Sequence, residues 1–350
     1  MDTTTPSTSA VQPKAAKVKS PPPPSIPVGL DLGYGYVKIF FEEQAHTFPS
    51  LVAPIDSADL GISFHQPEDI VQVDGQSYLV GQAAAQSEFR FRDQWDSWWN
   101  SPAYQALLMK AAQIVPKGAT IVTGLPLHLY GTAKNKERVG VLVKQLLKAK
   151  SVTVLCQGLG ALGQAIKEHP EFLQQRVAIA DIGTRTTELV AMARTTFLRH
   201  HSQGLLLGTA KIFQRLATQF TETFGRTLDP YEIDEAYRNQ HSLTIRNVTL
   251  SSKDLYDRLL PLLEDFMEEL HGEMARIWDI TRRQDPHTLG PEFDSIIFCG
   301  VGAHLLTTLL KTRYPHSTIL PHSQLANAQG YANLATNQCT TPQREAEARK

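Results

Sequence analysis

The sequence predicts an α/β protein built from two related domains. Short apolar segments typical of β-strands alternate with segments of helical periodicity along most of the chain. Two strands, beginning at residues 28 and 176, are each followed by a glycine-containing turn and a second strand. Because each of these hairpins opens a run of strands and helices, they indicate an internal duplication, and 350 residues suffice for two domains.

Composition is typical of a soluble globular protein. Hydrophobic residues make up 42% of the chain and charged residues 20%, and no apolar run is long enough to span a bilayer. The net charge of −1 provides no general attraction to nucleic acid or to an anionic membrane, so neither is expected as a direct partner. The 3 cysteines are far apart and predict neither a disulfide framework nor a zinc site, which favours a cytoplasmic location.

Changes in composition along the chain predict its division. Residues 1–27 are rich in Pro, Ser and Thr and lack the apolar segment of a signal peptide. The expected parts are a disordered leader (1–27), a first domain (28–155) with a small subdomain (about 49–93), a second domain (156–320), a helix returning to the first domain (321–336) and a disordered tail (337–350).

The first hairpin contains residue types that suit phosphate binding. Gly33 and Gly35 lie in its turn, where the absence of a side chain lets backbone N–H groups approach a phosphate closely. Asp31 ends the preceding apolar strand, where a carboxylate is costly to bury unless it meets a cation; water-coordinated Mg²⁺ is the natural partner. Lys38 can reach a phosphate oxygen. An ordinary hairpin with an aspartate near its turn is the alternative.

The second hairpin repeats this pattern. Asp181 ends an apolar strand, and Gly183, Thr184 and Arg185 follow in the turn. Two such hairpins, about 150 residues apart, are much less expected by chance than one. Together they predict a site that holds a triphosphate from two sides.

Gln157 lies between a strand and a glycine-rich helix start. A glutamine there can orient a water molecule for attack on a phosphate without itself becoming charged. The alternative is a helix cap in a glycine-rich joint. The chain contains no P-loop motif, so a triphosphate site of that type is excluded.

Two further segments are candidates for contact with the nucleoside. Near residue 300, small residues follow a strand and permit a base, ribose or α-phosphate to approach the backbone; they are Gly300, Gly302 and Ala303. Gly208 opens a helix that places Lys211 and Gln214 on nearly one face. That face can flank the nucleoside or simply face solvent.

The order of these motifs resembles that of the actin/Hsp70/sugar-kinase superfamily. The phosphate-1, connecting, phosphate-2 and adenosine motifs are matched by VGLDLGYGYVK (28–38), LCQGLGALG (155–163), IADIGTRTTELV (179–190) and IIFCGVGAHLL (296–306). Within the superfamily, the chain is most similar to prokaryotic actin-like proteins of the ParM and archaeal types, over about residues 28–335. The resemblance implies two RNase H-like domains, each a five-stranded mixed sheet flanked by helices, with the nucleotide in the cleft between them.

The resemblance also implies a role for each candidate residue. Asp31 and Asp181 would organise Mg²⁺ and its waters, and Gln157 would position the attacking water. The other implied contacts are Gly33, Tyr34, Gly35 and Lys38 on one side of the phosphates, Gly183, Thr184 and Arg185 on the other, Gly300, Gly302 and Ala303 at the adenosine, and Gly208, Lys211 and Gln214 beside the base or ribose.

The function implied by the resemblance is ATP hydrolysis coupled to filament assembly. ATP (or GTP) with Mg²⁺ would favour head-to-tail contacts between copies, which are heterologous and extend without limit. Plasmid or DNA segregation through a separate DNA-binding adaptor is the expected use. The alternatives are a small-molecule kinase of the same superfamily and a nucleotide-gated, Hsp70-like binding protein. Gln157 in place of an acid favours hydrolysis over transfer to a hydroxyl.

Overall fold

The structure is a computed structural model that describes residues 25–55, 66–85, 87–91, 98–278 and 293–347, the last eight of these without their side chains. Most of the predicted leader and parts of the predicted subdomain lie outside these residues. The strands are β1 (Pro27–Leu32), β2 (Tyr36–Phe41), β3 (Gln44–Pro49), β4 (Val52–Pro54), β5 (Ile70–Val73), β6 (Gln76–Val80), β7 (Thr120–Leu125), β8 (Ser151–Cys156), β9 (Arg176–Ile182), β10 (Thr187–Ala193), β11 (Thr196–Phe197), β12 (Gln203–Leu205), β13 (Leu243–Ile245), β14 (Val248–Leu250), β15 (Ser295–Cys299) and β16 (Thr318–Ile319).

The α-helices alternate with these strands, as the sequence predicts. They are α1 (Pro102–Ala111), α2 (Leu127–Tyr130), α3 (Ala133–Leu146), α4 (Leu159–Glu168), α5 (Ala210–Phe224), α6 (Pro230–Arg238), α7 (Ser252–Trp278), α8 (Gly300–Leu305), α9 (Thr307–Arg313) and α10 (Ala326–Glu347). Short 3₁₀ helices cover Pro67–Asp69, Gly81–Ala84, Trp98–Asn100, Pro170–Gln174, Arg199–His201 and Ser323–Leu325. Within the described residues, no helix is both long and apolar enough to cross a membrane.

Two mixed sheets form the centres of the two domains. The first has the order β3-β2-β1-β7-β8, and the second has the order β11-β10-β9-β15-β16. In each sheet the central strand pairs antiparallel with its hairpin partner and parallel with a strand from later in the chain. This shared topology confirms the predicted fold of two related domains.

The second sheet contains one strand more than predicted. Strand β12 pairs with the first residues of β10, whereas β11 pairs with its last residues. Both short strands therefore share one edge of β10. A further three-stranded sheet, in the order β4-β6-β5, lies within the range expected for the small subdomain.

Alternation along the strands buries both faces of the second sheet. Val177 and Ile179 of β9 pack toward a cluster that includes Ala161 and Ala165 of α4. Ala178 and the other intervening residues of β9 face a larger cluster with α5 and α7. Helix α4 therefore lies on the opposite side of this sheet from the main core of the domain.

Helix α10 connects the two domains through contacts that only glycine permits. A Cβ atom added to Gly330 would overlap the carbonyl oxygen of Gly160 in α4. A Cβ atom on Gly29 of β1 would overlap the carbonyl oxygen of Ala328. The backbone of α10 thus packs directly against the first sheet on one side and against α4 of the second domain on the other.

Several boundaries differ from the sequence-based expectation. Helix α10 continues to Glu347, past the predicted end of the returning helix at residue 336 and into the predicted tail (337–350). The Gln, Arg, Glu and Ala residues of this extension have good helix propensity. The Cys339 thiol on this extension donates to the carbonyl oxygen of Ser25. A 3₁₀ turn over Arg199–His201 separates β11 from β12, which both pair with β10.

We predict that Gly330→Ala lowers the free energy of unfolding by about 1–3 kcal/mol, because the new methyl group forces apart two backbones that cannot both keep their hydrogen bonds. Urea denaturation measures this effect. Gly272→Ala in α7 is the matched control: no atom lies within 4 Å of its added Cβ, so it should stabilise by up to about 1 kcal/mol. Equal effects at the two glycines would contradict the close packing of α10.

Candidate functional site

A cavity lies where the turns of the two hairpins face each other. Both domains line it, together with the start of α8 and the start of α10. The predicted site residues on its wall are Asp31, Gly33, Tyr34, Gly35, Lys38, Gln157, Asp181, Gly183, Thr184 and Gly300. Residues from four separate motifs thus meet at one place.

The hairpin registers explain why the two aspartates meet there. Asp31 lies opposite Lys38 in the first hairpin, and Asp181 lies opposite Glu188 in the second. The two turns are also closed alike: the Gly33 N–H donates to the carbonyl oxygen of Tyr36 at 3.1 Å, and the equivalent bond from Gly183 is 2.8 Å. The duplicated hairpins therefore present their aspartates in equivalent positions.

The cavity wall also contains residues that the sequence motifs do not indicate. The additional lining residues are Tyr36, Thr186, Glu188, Val301, Gln324 and Asn327. Glu188 was accessible to sequence reasoning, because its spacing from Asp181 equals that of Lys38 from Asp31. Asn327 had no such signal, because its place in the site depends on the packing of α10.

Three predicted residues near the cavity pack against its wall instead of lining it. The Arg185 guanidinium lies 5.3 Å from the centre of the Tyr34 ring, across the cleft. Gly208 packs against the backbone of the second hairpin turn, where any side chain would overlap Thr184. Gly302 packs in the same way against Ile182.

The other three predicted residues lie farther from the cavity wall. Ala303 is buried in the core of the second domain. Lys211 forms an ion pair with Glu269 at 2.6 Å, and Gln214 is exposed on the same helix. Their chain positions near glycine motifs suggested nucleoside contacts, but their side chains point to the core or to solvent. A contact between Lys211 or Gln214 and a nucleoside stays a prediction.

Asp31 is buried and receives two hydrogen bonds from side chains. The Lys38 ammonium lies 2.8 Å from Asp31 Oδ2, and the Gln157 amide donates from Nε2 to Oδ1 at 3.1 Å. Gln157 belongs to the loop before α4, so this contact connects the first hairpin to the connecting segment. The carboxylate charge is therefore compensated from within the first domain and its junction.

Asp181 is buried in a different environment. The Asn327 amide donates from Nδ2 to Asp181 Oδ2 at 2.6 Å. Burial raises the pKa of Asp181 from 3.8 to about 6, and the nearby charge of Asp31 adds to the rise. A cation bound next to Asp181 would lower this pKa and stabilise the ionised carboxylate.

Glu188 carries a third buried carboxyl group on the cavity wall. Its Oε2 accepts a hydrogen bond from the backbone N–H of Leu127, 2.8 Å away at the start of α2. Its Oε1 has no hydrogen-bond partner among the described residues. Burial raises the pKa of Glu188 from 4.5 to about 7, with a smaller contribution from the Asp181 charge.

Side chains also bridge the cleft above the hairpins. Arg90 of the small subdomain forms an ion pair with Asp229, which caps the N-terminus of α6 in the second domain. Gln82 donates to Glu235 at 2.9 Å and accepts from the Tyr231 hydroxyl at 2.7 Å. The two domains therefore contact each other on that side of the cleft as well as at α10.

The donor set of the cavity fits Mg²⁺ bound together with phosphate. No cluster of three or more His, Cys, Asp or Glu side chains in the described parts of the chain is arranged to hold a metal ion alone. Asp31 and Asp181 supply two buried carboxylates. Mg²⁺ in phosphate-transfer sites typically uses one or two carboxylates and completes its shell with waters and phosphate oxygens.

We predict that Glu188→Gln becomes more stable relative to the wild type as pH rises. Between about pH 4.5 and pH 7 the folded wild type keeps Glu188 protonated while the unfolded chain ionises, so the wild type loses stability over this range and the neutral glutamine variant does not. Urea denaturation at pH 5 and pH 8, in EDTA without nucleotide, should show a relative gain on the order of 2 kcal/mol. Exposed Glu137→Gln is the control, and a pH-independent difference for Glu188→Gln would contradict the prediction.

Comparisons with known proteins agree with this fold. Residues 29–160 match the family described as "Actin like proteins N terminal domain". No curated protein is significantly similar to the chain in sequence. The solved structures include a ParM filament protein from Clostridium botulinum, with 21% identity and a TM-score of 0.70 over 90% of this chain and 99% of that one.

Two other solved structures are similar over nearly their whole length. A non-polymerisable quadruple mutant of pCBH ParM has 20% identity and a TM-score of 0.70, covering 89% of this chain and 99% of its own. The archaeal actin homolog Ta0583, in complex with ADP, has 18% identity and a TM-score of 0.68 with the same coverages. The chain therefore has the actin-like fold of ParM and its archaeal homologue, and residues 29–160 match the N-terminal domain family of the actin-like proteins.

Proposed function

We propose that the chain binds ATP with Mg²⁺ in this cavity, hydrolyses it, and assembles head to tail into filaments. The observation that carries the proposal is the convergence of Asp31, Asp181 and Gln157 on one cavity between two equivalent glycine turns. A structure similar to the chain contains ADP, which supports a nucleotide as the ligand.

The hairpin turns suit the phosphates of the nucleotide. Gly33, Gly35 and Gly183 line the cavity, and their lack of side chains leaves the backbone close to any ligand between the turns. Lys38, now paired with Asp31, adds a positive charge within reach of the same space. Mg²⁺, held through Asp31, Asp181 and water, would neutralise charge on the phosphates.

Gln157 and Glu188 are the side chains best suited to act on the attacking water. The Gln157 amide is neutral, buried and already held by Asp31, so it can orient a water without adding charge. The Glu188 carboxyl lines the same cavity and has a pKa near 7, which suits a group that accepts a proton at neutral pH. Hydrolysis requires these two proposed roles, whereas nucleotide binding alone requires neither.

Filament assembly and its use are supported by the fold and the charge. One similar structure is a subunit of a 15-stranded ParM filament, and another is a ParM variant described as non-polymerisable. The contacts of Arg90 and Gln82 across the cleft would tie nucleotide occupancy to the relative position of the domains. We propose plasmid or DNA segregation in the cytoplasm as the use, with a DNA-binding adaptor, because a net charge of −1 does not favour direct DNA binding.

The test combines high-speed pelleting with phosphate release. We expect the wild type to pellet with ATP and Mg²⁺ but not in EDTA, and GTP in place of ATP defines the preference for the base. Gln157→Ala should pellet persistently and release phosphate about 100-fold more slowly, because the water is no longer oriented. Gln164→Ala, in the helix that follows Gln157 but outside the cavity wall, loses only hydrogen bonds to Glu168 and Asn333 and should behave as the wild type.

Other outcomes identify the alternative functions. Phosphate release without pelleting at every protein concentration would refute filament assembly. Transfer of the phosphate to a small hydroxyl compound, also without pelleting, would indicate a small-molecule kinase. Nucleotide binding with neither turnover nor pelleting would refute hydrolysis and indicate a nucleotide-gated binding protein.

A further inference from the structure

Asn327 lies where the two hairpins, α4 and α10 come together. It is the second residue of α10, it is 5% exposed, and it lines the cavity. Its side-chain amide makes three hydrogen bonds. Nδ2 donates to Asp181 Oδ2 at 2.6 Å, and Oδ1 accepts from the backbone N–H groups of Gly158 and Ala161, each at 3.1 Å.

The two backbone donors belong to the N-terminus of α4. The first N–H groups of a helix have no partner within the helix and are usually satisfied by a capping side chain. Here the capping position is Gly158, which has no side chain and a φ of 86°. Asn327 supplies the missing acceptor from the other end of the described chain.

This capping bond also determines where Gln157 lies. Gln157 immediately precedes Gly158, and its Nε2 donates to Asp31 Oδ1. Asn327 therefore holds Asp181 directly and holds the loop whose glutamine contacts Asp31. One amide connects the carboxylates of both hairpins to the residue proposed to orient water.

An amide satisfies all three bonds in this geometry without carrying a charge. An ionised carboxylate can accept from Gly158 and Ala161 but cannot donate to Asp181, so the aspartate variant is tested at pH 8. An alanine provides neither function. The position therefore requires a side chain with a donor on one side and an acceptor on the other.

We propose that Asn327 is a positioning residue for the hydrolysis proposed above. It fixes the position of the Gln157 amide relative to the Asp181 carboxylate across the domain boundary. The attacking water and the Mg²⁺ ion would then be held at the same phosphate. It acts through these two residues. The inference rests on the proposed function, and it also makes a claim about Asp181 that holds without turnover.

Asn333 provides a matched control on the same helix. Its Nδ2 donates to Gln164 Oε1 at 3.0 Å, which is another bond from α10 to α4. It is outside the cavity wall. Loss of this bond tests what a merely structural contact between the two helices contributes.

The first measurement is steady-state phosphate release by Asn327→Asp, Asn327→Ala and Asn333→Ala. We expect kcat to fall at least tenfold for both Asn327 variants, with KM for ATP within about threefold. Asn327→Asp keeps the acceptor for α4 but sets a second buried carboxyl group against Asp181, so its urea denaturation midpoint should fall below that of the wild type. The activities are therefore compared without urea, under conditions in which the denaturation curves show every variant to be folded. A wild-type kcat for Asn327→Asp would show that the residue only caps α4 and would overturn the proposal.

The second measurement does not depend on hydrolysis. The dissociation constant of ADP is measured in EDTA and in Mg²⁺, and the ratio reports how well the site organises the metal. We expect Asn327→Ala to reduce this ratio several-fold and Asn333→Ala to leave it unchanged. If the ratio for Asn327→Ala equals that of the wild type, Asn327 does not position Asp181 and the proposal is overturned. If the wild-type protein binds ADP more tightly in Mg²⁺ but releases no phosphate from ATP, only the proposed hydrolysis is refuted.

Discussion

The site depends on burying two carboxylates, Asp31 and Asp181, on the wall of one cavity. Two like charges that are removed from water each raise the free energy of burying the other. Each therefore needs compensation from nearby hydrogen-bond donors or from a cation. The protein compensates them differently: Asp31 has a direct ion pair with the Lys38 ammonium, whereas the side chains that hydrogen-bond to Asp181, the Asn327 amide and the Cys299 thiol, are neutral and Lys38 acts on it only from a distance. The Asp181 side lacks a directly paired positive charge, and this is the physical ground for the Mg²⁺ ion proposed there.

The internal duplication produces this asymmetry from a common geometry. Both hairpins place a residue directly opposite the aspartate, and that residue is Lys38 in one and Glu188 in the other. One domain therefore contributes the ammonium group of Lys38 to the cavity, and the other contributes the carboxyl group of Glu188. Because a phosphate needs positive charge and an attacking water needs an acceptor, the two halves of the site are suited to different parts of the hydrolysis proposed above.

Local signals in the sequence predict the fold and several of the residues that line the cavity. Glycine turns and strand-ending aspartates are contiguous motifs, so Asp31, Gly183 and Gln157 were identified without any knowledge of tertiary contacts. Lys211 was assigned from helical spacing alone, which cannot show that a glutamate on α7 would pair with it. The place of Asn327 in the cavity has no such local signal, because it depends on the packing of α10 against segments that lie far away in the sequence.

The contact between Gly29 and the backbone of α10 has a consequence for how the protein reaches its native state. The first sheet is formed by residues near the start of the described chain, yet α10 covers part of it. Contacts that join segments about 300 residues apart must form late, since the entropy of closing so long a loop opposes them. The first domain therefore completes its own core only when α10 docks between the domains, so the two halves should acquire their final stability in one cooperative step rather than in succession.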